Sequence, residues 1–235
     1  MEALQGTYCG PPPAPSELWM AWNLDPFLLL ALGIFALTVS RTKPGALAVA
    51  TLVIVFVSPL CALSAALFSA RVVHHVLLVA AAGPLIALAW PAREVRSIAI
   101  PFIVSTSVLW LWHLPQAYDL ALSNIAVYWV MQATLLVTAV AFWRAVFDRR
   151  QGSGRALLFI LAGFMQMALL GALLTLAPEP LYAIHAIAPW AWGFTPLADQ
   201  QLGGLIMWVP AGLPFALWSI LLARREWQSM AQGAA

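Results

Sequence analysis

Four histidines, His74, His75, His113 and His185, carry most of the chemistry this sequence offers. A neutral imidazole suits copper, zinc or haem iron. The setting is unusual for histidine. His74 and His75 lie in the apolar stretch "SARVVHHVLLVAAAGP", residues 69–84, behind a single cation, Arg71. His113 closes another apolar run in "LWLWHLPQAYD", and His185 falls in "APEPLYAIHAIAPWAWGFTPLAD", rich in proline and aromatics. Met207, in "TPLADQQLGGLIMWVPAG", adds a thioether, a soft donor suited to Cu(I). Neighbours on a helix point about 100° apart, so His74 and His75 cannot serve one site equally. His75 and His113, at similar depth on different spans, are the pair expected to face each other. They would hold copper or, as an alternative, a bis-imidazole haem. His74, His185 and Met207 are weaker ligand candidates. For each of these residues ordinary packing is the competing reading.

The elements that must position these side chains are membrane helices. The 235 residues are 63% hydrophobic and only 9% charged, against roughly 25% charged in a soluble domain. Too little polar surface exists to wrap a water-soluble core, so the solvent for most of the chain is the lipid bilayer. Twelve tryptophans fit that solvent, since amphipathic aromatics gather at its interfaces. Nothing basic and aromatic enough to hold nucleic acid is present. No phosphate-binding loop or Ser/His/Asp arrangement points to an enzyme. Cys9 and Cys61 leave a disulfide open without requiring one.

Apolar windows long enough to span occur near residues 25–40, 45–67, 70–90, 96–114, 123–146, 155–177 and 201–223. The expectation is an all-α polytopic bundle of about seven transmembrane helices. Residues 1–24 would be an extracytoplasmic segment, 25–223 the membrane domain with an outer loop at 178–200, and 224–235 a cytoplasmic tail. Pro59, Pro84, Pro101, Pro210 and Pro214 fall inside these windows, where neighbours must satisfy the carbonyls they free. Lys and Arg alternate between loops: Arg41 and Lys43, Arg93 and Arg96, Arg144 to Arg155, then Arg224 and Arg225. The positive-inside rule then puts the N-terminus outside and the C-terminus in the cytoplasm. All four histidines fall on the outer side, with Asp25, Asp119, Glu179 and Asp199. Arg71 reads as an anchor in the outer interface, paired with Asp199 or Glu179. Asp199 reads as the N-cap of the last helix and Gly203–Gly204 as a point of close helix approach.

Four pieces, "FSARVVHHVLLVAAAGPLIALAWP", "WHLPQAYDLAL", "GALLTLAPEPLYA" and "PLADQQLGGLIMWVPAG", resemble the multi-span CtaG family of cytochrome c oxidase assembly factors. The resemblance covers residues 68–220. It implies a bacterial inner-membrane protein without turnover chemistry that helps assemble haem–copper oxidase, with delivery of copper to its catalytic subunit as the expected role. The family pattern places His-x-x-x-His on the third helix; His75 matches the second histidine, while Arg71 stands at the first. A second such pair falls at Tyr128 and Gln132. His113 matches the histidine of "HLP", and Asp199 the aspartate of "DQQLGG". Arg71, Asp199 and Asp119 are then structural or charge-balancing. The alternatives are a haem-binding or quinol-linked redox subunit and a metal-free scaffold docking on oxidase subunits.

Overall fold

Proline and the small N-capping side chains punctuate this chain, and the helices follow their spacing. The computed structural model describes residues 8–91 and 97–233; Arg93, Glu94 and Arg96 of the "WPAREVR" turn lie outside them. The described residues are almost entirely helical, with no strand among them. In chain order the helices are α1 (Pro26–Val39), α2 (Lys43–Phe56), α3 (Pro59–Ala66), α4 (Phe68–Val76), α5 (Gly83–Ala89), α6 (Ala99–Trp112) and α7 (Pro115–Ser123). Then come α8 (Ile125–Phe147), α9 (Ser153–Leu176), α10 (Pro196–Trp208) and α11 (Gly212–Gly233). Asp25, Thr42, Ser58, Asn124 and Thr195 each accept a backbone N–H one turn in, capping α1, α2, α3, α8 and α10.

Each apolar window contains a helix. Four helical stretches are long and apolar enough to cross a membrane: Phe68–Ala89, Ile125–Phe147, Ser153–Leu176 and Pro196–Gln232. The pair α2 and α3, bent by 45° at Val57–Ser58, makes a fifth if taken as one span. Helices α1 and α6 are apolar but have only 14 residues each. Large apolar side chains such as Leu37, Leu158, Leu173 and Leu213 stand exposed on the outside of the bundle. Only a hydrocarbon surround makes that arrangement favourable, so this is a membrane protein.

The prolines sort into two uses. Pro59 and Pro101 sit in the first turn of α3 and α6, where a missing N–H costs nothing, rather than inside a helix as the windows suggest. Pro210 falls in the break between α10 and α11. Pro84 interrupts the span Phe68–Ala89. The turn before it, Leu77–Ala82, widens to a π-helix joining α4 to α5. Pro84 has no N–H to give to the carbonyls one turn back. Two tryptophans supply it: Trp143 Nε1 donates to Val79 O and Trp218 Nε1 to Ala80 O, both at 2.9 Å. Gly83 lets α8 cross closely there, since a Cβ at that position would lie 3.2 Å from Ala139 Cβ.

Helix α10 packs on α9 and α4, while α8 packs on α5, α6 and α7. Gly204 faces the backbone of Gly171, and Gly203 lies under the ring of Phe68, so the glycine pair does bring helices together. The short helix α7 and the continuation of α11 past residue 223 to Gly233 are additions to the expected layout. The segment 178–195 forms two short 3-10 turns, Ala183–His185 and Ala188–Trp192, before α10 begins at Pro196. The N-terminal segment folds over the same end of the bundle. A disulfide joins Cys9 to Cys61, Tyr8 stacks on Tyr128, and Trp192 Nε1 donates to Pro13 O.

Candidate functional site: a buried histidine end

The chain turns sharply at Leu67, between α3 and α4, with extended backbone angles of −121° and 132°. That break strands donors and acceptors in the protein interior, where each must find a partner. Phe68 N and Ser69 N donate to Asp199, at 2.6 and 3.2 Å, and Ser69 Oγ joins them. Ser64 O receives Arg71 Nε at 3.2 Å, and Ala66 O receives His185 Nδ1 at 3.4 Å. Arg71 from the next turn, and Asp199 and His185 from far along the chain, thus stitch one interruption.

Asp199 and Arg71 both depart from their expected roles. Asp199 does not cap its own helix, because Thr195 does so through Ala198 N. It sits in the first turn of α10, where its carboxylate reaches across to cap α4 instead. An anion there meets the unsatisfied N–H groups and positive dipole end of a second helix. Arg71 is not an interfacial anchor. Its side chain is 1% exposed, held inward by Ser64 O and by the face of Tyr128, with the guanidinium carbon 5.4 Å from the ring centroid. Its two terminal nitrogens have no hydrogen-bond partner, and no carboxylate pairs with it among the described residues. Asp119 accepts Ala183 N and Ile184 N, fixing the turn that carries His185.

The four histidines gather at one end of the bundle and divide into two settings. His185 has both ring nitrogens engaged: Nδ1–H donates to Ala66 O, so Nε2 accepts the Tyr118 hydroxyl at 2.9 Å. Burial pushes its pKa down to about 3, with the Arg71 charge adding to the fall and the Ala66 carbonyl opposing it. His74 stands edge-on to Phe56, 5.3 Å between centroids, with neither ring nitrogen partnered. His75 and His113 face each other with centroids 6.2 Å apart and planes at 74°. His113 Nδ1 donates to Leu109 O at 2.7 Å, and its own carbonyl receives the Tyr182 hydroxyl at 3.0 Å. Both nitrogens of His75 are buried and unpartnered.

His75 and His113 line a cavity of about 10 Å³ together with Val72, Val76, Val79, Leu109, Met167 and Met207. That is room for roughly one water or one ion. Met207 is therefore with the histidine pair, whereas His74 and His185 are not on the cavity wall. Met167 of α9 stands on the same wall. Only the relative rotation of α9 and α10 reveals it.

Residues 93–229, more than half of the chain, match the cytochrome c oxidase caa3 assembly factor family, Caa3_CtaG. The chain belongs to that family. No curated protein and no solved structure matches it. The Caa3_CtaG match takes in His113, His185, Met167, Asp199 and Met207, while Arg71, His74 and His75 precede it. Three positions where the CtaG resemblance leads one to expect histidine hold Arg71, Tyr128 and Gln132 instead. Tyr128 lies under the Arg71 guanidinium, and Gln132 is buried with both amide atoms unpartnered. Arginine cannot deprotonate to become a ligand.

Proposed function

We propose that this Caa3_CtaG member helps assemble a haem–copper oxidase by holding copper beneath the outer membrane surface and presenting it to the catalytic subunit. The observation that carries the reading is the His75–His113 pair facing across a small apolar-walled cavity, with free nitrogens on His75. Neutral imidazoles from two helices are good ligands for a copper cargo and leave it exchangeable. A haem macrocycle would need a cavity far larger than about 10 Å³, so copper is favoured over haem.

The proposed setting is a bacterial plasma membrane crossed seven times. The short helices α1 and α6 and the bent α2–α3 pair serve as three spans beside the four long ones. The N-terminus lies outside and the C-terminus in the cytoplasm. This orientation puts the histidine end outside and Arg144, Arg149, Arg150, Arg155, Arg224 and Arg225 inside. Oxidase subunits are the partners, and the protein performs no turnover chemistry.

The double variant His75→Ala/His113→Ala should lower the amount of assembled oxidase in membranes while leaving the protein's own abundance unchanged. Oxidase haem spectra and immunoblots of the two proteins read this directly. Equal loss of both proteins would assign the histidines to packing. Unchanged oxidase would leave a metal-free scaffold.

A further inference from the structure

We infer that His75, His113, Met167 and Met207 form one site selective for monovalent copper, with two imidazole and two thioether donors. The inference rests on the copper reading above and adds the donor set and the oxidation state. No group of three or more His, Cys, Asp or Glu side chains able to hold a metal occurs among the described residues. A metal here must therefore complete its shell with something else. Four of the eight residues on the cavity wall carry donor atoms, and the other four are aliphatic. The donors come from four elements: His75 from α4, His113 from the end of α6, Met167 from α9 and Met207 from α10. Residues so distant in sequence do not meet through local periodicity. All four are buried, His75 at 4%, His113 at 6%, and both methionines at 2% exposure.

A second observation points to a ligand independently. His75 has two buried nitrogens without a partner, which is costly unless something binds them. His113 is already oriented as metal-binding histidines usually are. Its Nδ1–H is given to a backbone carbonyl, which fixes the tautomer and leaves the Nε2 lone pair free. A metal about 2 Å from each nitrogen holds two ring centroids roughly 5–6 Å apart, and the observed separation is 6.2 Å.

The oxidation state follows from charge and softness. Thioethers favour Cu(I) over zinc or Cu(II). All four donors are neutral, and the fixed Arg71 charge stands three and four residues before His74 and His75 on the same helix. Coulomb repulsion from that charge is twice as large for a divalent ion as for a monovalent one. The aliphatic wall excludes water that a divalent ion would demand.

The test uses the full-length protein in detergent, titrated anaerobically with Cu(I) against a chromophoric Cu(I) chelator and separately with zinc. One Cu(I) should be retained, with nitrogen and sulfur scatterers in X-ray absorption and no competition from zinc. Met167→Leu and Met207→Leu, which preserve volume, should each weaken retention by at least roughly tenfold and reduce the sulfur signal. Unshifted thermal unfolding of the leucine variants establishes that they are folded; if one is unfolded, the sulfur signal of the unmutated protein decides alone. Retention of Cu(I) with a nitrogen-only shell, or undiminished in folded leucine variants, overturns this site and leaves the copper reading standing. Zinc binding as tight as copper overturns the selectivity. Failure of the unmutated protein to retain any Cu(I) overturns the copper reading itself.

Discussion

At the scale of single residues, the histidine end shows how one side-chain type serves different purposes. His185 closes a hydrogen-bond account: it takes the Tyr118 hydroxyl and supplies Ala66 O, so its neutral form is built into the fold. Its pKa of about 3 lies below the ordinary histidine value of about 6.5. Between these values the unfolded chain binds a proton that the native chain refuses. Stability from this residue is therefore complete above about pH 6.5 and declines as pH falls toward 3. We expect thermal unfolding in detergent to move down in temperature between about pH 7 and pH 5, and His185→Gln to remove its share of that slope. An unchanged slope in the variant would mean the dependence arises elsewhere. His75, a short way along the neighbouring helix, has no such partners, which is why it and not His185 enters the copper proposal.

At the scale of elements, the decisive features are interruptions. The break at Leu67 frees donors and acceptors that Asp199, Arg71 and His185 satisfy, and it thereby fixes where α4 begins and where His75 points. The π-turn at Leu77–Ala82 follows directly after the histidines and is held by Trp143 and Trp218. Removing the indole donor by Trp218→Phe leaves Ala80 O unpaired in an apolar interior and should cost about 1–3 kcal/mol of stability. The same substitution in a Pro84→Ala background should cost less, because residue 84 then has an N–H of its own to offer. A double-mutant cycle on thermal unfolding measures this coupling. Additive effects would show that the tryptophan does not compensate for the proline.

At the scale of the whole molecule, the N-terminal segment is tied over the histidine end. The Cys9–Cys61 disulfide links the segment to the start of α3, and Tyr8 lies against Tyr128 and Trp129. The bond closes a loop across 52 residues. Reducing it should lower stability by about 2–4 kcal/mol. It should also expose residues 10–24 to added protease, read by the unfolding temperature and by mass spectrometry of the fragments. Unaltered proteolysis after reduction would show that the aromatic stack and the Trp192–Pro13 hydrogen bond hold the segment without the disulfide.

The sequence by itself determined the solvent, the helical class, the position of each apolar helix and the family, because these depend on composition and on period along the chain. It singled out His75, His113 and Met207, which line one cavity, together with His74 and His185, which do not. It could not place Met167 on the same wall, because helical spacing says which residues share a face but not which faces meet. It misassigned Asp199 and Arg71 for a related reason: capping and solvation patterns assume local partners, and here the partners come from another helix. Only the tertiary structure, by breaking α3 from α4 and rotating four helices about one small cavity, decided which polar groups hold the fold together and which remain without a hydrogen-bond partner.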